Sequence, residues 1–300
     1  MSSNIQYDYE DQFKEALEKI TDNNLKKKLV AIKKLIVKRL NLENDFKREN
    51  NKLEYEYEEK YKPFYEKRRK IVSGEEKPNK EELKDKLNLV GLKEEDFDKE
   101  EKEKGIPQFW LKCIENAHDI KDLNEKDKKV LSHLIDVKSE LQENGDFKLI
   151  FVFEENEYFT NTELIKEYKH DEQFEINTVT STQIDWKSDD KNPTIEVKKK
   201  KLKNKKNGQI KIINKKTEVP SFFSGFKNFE RKDKKLNNNN DEEDNEEDDE
   251  DDYDIEDEYD FGNLFKDEII PFAIEYYLNV VEDDFDEEDE ESVDEEDEDK

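Results

Sequence analysis

The residues of this 300-residue chain with the clearest chemistry are its carboxylates. Residues 241–260 hold sixteen Asp or Glu and no Lys or Arg, and residues 282–300 hold fifteen against one Lys. The formal net charge is −30, yet residues 1–240 stand at +2, with 52 basic and 50 acidic side chains. The acid is therefore concentrated at one end of a nearly neutral body. Runs this dense cannot bury enough apolar surface to fold. Their chemistry is that of a polyanion: it attracts a strongly basic partner, screens that partner from DNA and releases it by competition. The bland reading is a solubilising tail. Ser292, followed by Val-Asp-Glu-Glu, offers an acid-directed kinase a short target. The opposite charge is densest at Lys198, Lys199, Lys200, Lys201, Lys203, Lys205 and Lys206. Such a run reads as an importin-type nuclear localisation signal, a phosphate contact, or a solvated face of a lysine-rich chain. Direct DNA binding is disfavoured as a main role, because phosphates repel the tails and the tails compete for the lysines.

Catalytic chemistry finds little support. His118, His133 and His170 have neither metal-ligand nor triad spacing, and the seven glycines are scattered without a phosphate-cradling loop. Cys113 is the lone cysteine, which excludes an intramolecular disulfide and a cysteine-based zinc finger. It lies on an apolar helical face and reads as a buried hydrophobe. We expect no enzyme activity, no metal and no cofactor. No run of eighteen apolar residues exists, so no membrane partner is expected. The polar, acidic first ten residues lack the features of a secretory signal, which places the expected location in cytoplasm or nucleus.

The elements that must carry these runs can be read from periodicity. Phe13, Leu17 and Ile20 suit a short helix, and Thr21 to Asn24 supply stop and cap chemistry. Leu25, Leu29, Ile32, Ile36, Leu40, Phe46, Leu53, Tyr57, Tyr61 and Phe64 then recur mostly at steps of three, four or seven. No Gly or Pro interrupts residues 25–62, a span of ~57 Å as a helix. A helix this long needs a partner of similar length, and the chain offers no second one. A homodimer through the first eight of these residues is the natural inference; the alternative is a helix lying on its own domain. Pro63 is expected to kink or end it. Residues 75–104 read as a charged, loosely helical accessory segment. Phe109 to Ala117 and residues 126–142 read as amphipathic helices, Phe147–Phe153 as a strand, and Phe159 to Tyr168 as a short helix capped by Thr160 or Asn161. Val179 to Trp186 reads as a strand. Residues 194–202 and 209–213 read as a hairpin around Asn207-Gly208. Ser221-Phe-Phe-Ser-Gly-Phe226 caps the sheet, and an apolar island at 261–281 returns as a helix. The fold class is α+β: helices, then an antiparallel sheet, then a returning helix.

In order, Lys60-Tyr-Lys-Pro-Phe-Tyr-Glu-Lys-Arg68, Ile71-Val-Ser-Gly74, Gly105-Ile-Pro-Gln-Phe-Trp-Leu111 with Glu115-Asn116, Phe147–Phe153, Phe159-Thr-Asn161, Ile184-Asp-Trp-Lys187, Ser221-Phe-Phe223 and Lys266-Asp-Glu-Ile-Ile-Pro-Phe-Ala273 form a pattern. It resembles the nucleosome assembly proteins, a family of histone chaperones that includes SET-type phosphatase inhibitors. The resemblance runs from about residue 13 to the C-terminus. It implies a long dimerisation helix over 1–74 and an accessory segment over 75–104. It also implies an α/β "earmuff" domain over 105–236, an acidic disordered insert over 237–260, a returning helix over 261–281 and an acidic disordered tail over 282–300. The implied partners are core histones, especially the histone 2A–2B heterodimer, with the histone 3–4 pair a second candidate. The implied work is ATP-independent nucleosome assembly and histone transport between cytoplasm and nucleus with an importin. Asp119, Asp122, Glu125 and Asp127 align with the family's histone-contacting acids, and Glu287, Glu288, Asp289 and Glu290 belong to the histone-binding tail. The alternative within the same fold is a phosphatase inhibitor or a carrier for linker histone or a ribosomal protein.

Overall fold

The computed structural model describes residues 12–84, 86–87, 90–97, 99, 103–120, 123–203, 210–231 and 255–281, with backbone alone at 94, 199–203 and 210–214. Asp122, Lys205, Lys206, residues 232–254 and the tail with Glu287, Glu288, Asp289 and Glu290 lie outside the described residues.

Helix α1 spans Asn23–Val72, fifty residues and ~75 Å. Asp22 caps it, its carboxylate accepting the Asn24 N–H at 2.8 Å. Residues 12–18 form the expected short helix, and the Lys33 ammonium stands 5.3 Å from the Phe13 ring centroid. Pro63 does not end α1, against expectation. Proline removes one backbone bond, to the carbonyl of Glu59, and both residues are exposed. Contacts on either side hold the helix through that gap. Tyr57, Tyr61 and Tyr65 form a ladder with centroids 6.2 and 6.5 Å apart. Arg68 lies over the Tyr65 and Trp110 rings and donates to the Ile270 carbonyl, which fixes the last turns on the domain. Seven of the eight expected dimer positions are 43–70% exposed, and Leu29 is half-buried.

At the end of α1 two glycines meet. Gly74 (φ +70°) and Gly105 (φ +65°) approach so closely that a Cβ on Gly105 would lie 2.6 Å from the Gly74 nitrogen. Ile106 donates to the Val72 carbonyl at 2.8 Å. The accessory segment between them contains α2 (Lys80–Leu83) and a 3₁₀ turn at Glu94–Asp96, with Leu87 its buried anchor.

The domain follows: α3 (Phe109–Glu115), α4 (Glu125–Leu131), β1 (Leu134–Leu141), β2 (Phe147–Phe153), β3 (Glu163–His170), β4 (Ile176–Ser181), β5 (Ile195–Lys203), β6 (Ile210–Glu218) and β7 (Phe229–Glu230). A 3₁₀ turn at Phe222–Gly225 precedes β7. Helix α5 (Ile255–Asn263), a π-helical stretch at Leu264–Ile269 and α6 (Ala273–Leu278) complete the described chain. The sheet is antiparallel in the order β1-β2-β3-β4-β7, and β5-β6 form a separate two-stranded hairpin. The two strands expected on either side of Asn207-Gly208 thus pair, the second longer than expected, and Asn207-Gly208 itself lies outside the described residues. The core joins Trp110 and Ile114 of α3, Leu149 and Phe151 of β2, and Phe265 and Ile269 of the π stretch. Each such side chain contributes ~1.5–3 kcal/mol by leaving water. The observed architecture is the expected α+β fold: a long helix, then an antiparallel-sheet domain closed by returning helices.

Two expected helices are in part strands. The helix read over 126–142 stops at Leu131, with Ser132 as C-cap, and residues 134–141 are β1. An irregularity between Leu134 and Asp136 breaks strict alternation, so the apolar positions mimic a helical period. The helix read from Phe159 is β3 instead. Asn161 ties two segments of the chain together rather than capping: its Oδ1 accepts from the Asp185 N–H at 2.8 Å and its Nδ2 donates to the Gln183 carbonyl at 3.3 Å. The strand read to Trp186 ends at Ser181, leaving Trp186 a single bridge to Phe159. The returning helix begins at Ile255, inside the stretch expected as an acidic disordered insert over 237–260.

Candidate functional site

A cleft of about 830 Å³ opens between the turn after α3, the Phe222–Gly225 turn, and α5 with its π-helical extension. Its inner wall is apolar, with Ile120, Phe222, Phe261 and Leu264 buried or half-buried. Exposed Asp119, Asp257, Asp260, Asp267 and Glu268 edge it, against Lys227.

Each wall is fixed by polar contacts. Helix α3 starts at Gln108 (φ 57°) and buries Phe109, Trp110, Leu111, Cys113 and Ile114. Its end is tied to α6: Asn116 donates to the carbonyls of Tyr276 (2.7 Å) and Tyr277 (3.4 Å). Burial pushes the Cys113 thiol up to about 12, and its Sγ lies 3.1 Å from the Ala273 carbonyl. That thiol is a packing group, not a nucleophile.

Asp127 is one of the acids aligned with histone contact, and the structure gives it another task. It is wholly buried in a capping box with Asn124 at the start of α4. It accepts from the Ser221 hydroxyl at 2.5 Å and from the Phe222 N–H at 3.2 Å, which holds the Ser221-Phe-Phe turn against α4. Burial raises its pKa, and the Ser221 and backbone hydrogen bonds oppose the rise. A carboxylate so enclosed cannot meet a partner's surface. Glu125 and Asp119 are exposed, Asp119 on the cleft.

The opposite wall rests on a buried ion pair. Lys166 of β3 and Glu258 of α5 lie 2.5 Å apart, both essentially without solvent. Glu258 also accepts from the Tyr168 hydroxyl at 2.9 Å, and Lys166 donates to the Gly225 carbonyl at 2.6 Å. Burial lowers the Lys166 pKa while Glu258 opposes the fall. The next residue, Tyr259, has its hydroxyl 3.1 Å from His170 Nε2, whose Nδ1 faces Asp146 at 3.3 Å. Neighbouring residues of α5 thus clamp the helix to β3 from two sides. Of the cleft acids, sequence reasoning named Asp119 but not Asp257, Asp260, Asp267 or Glu268, and it missed Glu258, because these sit among many acids. It missed Lys166 because a lysine at an inward strand position contradicts the apolar pattern.

The site can hold positive charge beside apolar surface. Among the described residues no group of His, Cys, Asp and Glu is arranged to hold a metal, and no helix is long and apolar enough to cross a membrane. Of the expected localisation lysines, Lys198 to Lys203 lie on β5, and Lys198 pairs with Glu196 at 2.8 Å.

The sequence matches the nucleosome assembly protein (NAP) family over residues 27–280. It is 33% identical to "Nucleosome assembly protein" of Saccharomyces cerevisiae over 279 residues, covering 85% of this chain and 65% of that one. It is 33% identical to "Nucleosome assembly protein 1" of Candida albicans, covering 67% of this chain and 51% of that one. It is 34% identical to "Nucleosome assembly protein 1-like 1-A" of Xenopus laevis, covering 88% and 72%. The chain thus spans about half to two thirds of the length of the two yeast relatives. Among solved structures, the nucleosome assembly protein 1 of Plasmodium knowlesi shares the fold, with a TM-score of 0.54, 22% identity, and coverage of 87% of this chain and 100% of that one. The chain belongs to the nucleosome assembly protein family.

Proposed function

We propose that this protein is a histone chaperone that binds core histones, foremost the histone 2A–2B heterodimer, shields them from DNA and promotes nucleosome assembly without ATP. The observation that carries the reading is membership of the family together with its charge pattern: an acid-edged apolar cleft on a neutral domain followed by polyanionic runs. The folded surface supplies shape-specific contacts, and the acidic residues of 241–254 and 282–300 screen basic histone tails. The working unit is a homodimer, supported by the exposed apolar stripe of α1, which no element of the same chain covers among the described residues. The lysine run on β5 serves an importin, and the protein shuttles between cytoplasm and nucleus. No step of this work requires catalysis.

The test is sedimentation of the purified full chain, alone and with the histone 2A–2B heterodimer, at moderate salt. The expected result is a dimer that takes up the heterodimer stoichiometrically and prevents its precipitation onto DNA. A dimer that ignores core histones would overturn the partner, and a monomer would overturn the assembly.

A further inference from the structure

The last described turns of the chain expose Phe272 (53%), Ile274 (49%), Leu278 (57%), Val280 (59%) and Val281 (39%). Single exposed apolar side chains are ordinary, but five within ten residues form a patch. Ile274 and Leu278 are spaced by four, so they line one side of α6, and Val280 and Val281 follow the left-handed cap at Asn279 (φ 54°). The element cannot rotate to hide them. Its other side is fixed by buried Ala273 and Tyr276, by the Tyr277 ring stacked on Phe109 at 5.1 Å, and by Asn116. The stripe is not part of the α1 surface, and the proposed function leaves it unused.

Its surroundings define what it fits. Helix α6 borders the acidic cleft, because the Tyr276 hydroxyl donates to Glu268 at 3.0 Å and Glu268 lines that cleft. Glu275 lies between Ile274 and Leu278, and the sequence continues after Val281 with Glu282-Asp-Asp and the acidic tail. Apolar surface bracketed by carboxylates complements a helical face that is apolar at its centre and basic at its edges. We propose that the Ile274–Leu278 face of α6 is a docking surface for such a basic amphipathic face of the bound histone heterodimer, and that it supplies the part of the affinity that salt does not screen. The inference rests on the histone reading above. Ion pairs with exposed carboxylates weaken as the Debye length falls from ≈ 8 Å at 0.15 M to ≈ 3 Å at 1 M salt, whereas apolar burial does not.

The experiment titrates the full-length protein with the histone 2A–2B heterodimer at about 0.15 M and about 0.6 M salt. It compares the parent with I274S/L278S and with I274M/L278M. Both positions are exposed, so folding should survive, and a thermal melt checks it. The expected result is about tenfold weaker binding for the serine variant at both salts, with an unchanged salt slope and parental binding for the methionine variant. A parent that binds while the serine variant matches it overturns this inference alone. A parent that binds no heterodimer at either salt overturns the histone reading with it. Loss of self-association with histone binding intact assigns the stripe to a second copy of the chain, and overturns the inference in that way.

Discussion

Helix α1 and the α+β domain place their apolar side chains in opposite ways. The domain buries Trp110, Leu149, Phe151 and Phe265 almost completely, and even the charges it encloses have partners. The helix leaves Ile32, Ile36, Leu40 and Phe46 about half exposed or more. The domain buries its apolar side chains within one chain, and the helix leaves its apolar stripe uncovered among the described residues. The difference shows where each kind of perturbation should be felt: charge in the helix stripe should change assembly, and charge in the domain should change stability.

The largest effect should come from I36D/L40D. If α1 pairs with a second copy, the variant places unpaired charges in the seam of both chains, and sedimentation should show a monomer with at least about a thousandfold weaker association. Retained helicity by circular dichroism and an undisturbed domain would sharpen the contrast; an intact dimer would break it.

Inside the domain, Glu258→Ala should lower unfolding stability by about 3–5 kcal/mol, because it leaves the buried Lys166 ammonium without its counter-charge, held by the Gly225 carbonyl alone among its hydrogen-bond acceptors. Urea unfolding measures this. The double variant K166M/E258L should recover much of the loss, since an apolar pair of similar volume replaces a buried ion pair with little penalty.

A smaller effect is predicted at the junction of the two regions. Asp136 of β1 is 5% exposed, and burial pushes its pKa up to about 6 from 3.8, with Lys138, Arg68 and Arg69 pulling the other way. A carboxyl whose folded pKa is raised binds its proton more tightly in the folded state. Its contribution is therefore full below about pH 4 and is lost as pH rises through about 6. Asp136→Asn should lose less stability than the parent between pH 4 and 7, by up to about 3 kcal/mol. Parallel pH–stability curves for the two proteins would contradict it.

The smallest effect belongs to the solvated side of α1. Arg39 and Glu43 pair at 2.5 Å with side chains 76% and 44% exposed. Glu43→Ala should cost no more than about 0.5 kcal/mol in the same unfolding assay.

Much of this contrast was legible in the sequence. The long helix showed itself through an unbroken run of good helix formers with apolar steps of three and four, and the hairpin through alternation around Asn207-Gly208. Strand β3 was illegible for a definite reason: its inward positions are Leu164, Lys166 and Tyr168, and a lysine in the middle hides a period of two. Strand β1 was hidden by the irregularity beside Asp136. Asp127 looked like a surface acid because its burial depends on Ser221 and Phe222, more than ninety residues away. Glu258 was one acid in a run of acids; only the position of Lys166 across the fold distinguishes it.

The meeting of Gly74 and Gly105 has a consequence for how the molecule tolerates change. The thirty residues between them leave and return at one point, so the accessory segment is a closed excursion whose ends stay fixed by the Ile106–Val72 hydrogen bond. For a flexible loop, doubling the length between fixed ends costs only about 0.6 kcal/mol. Whole modules could be spliced in or trimmed there, giving the scaffold new attachments while helix and domain keep their register.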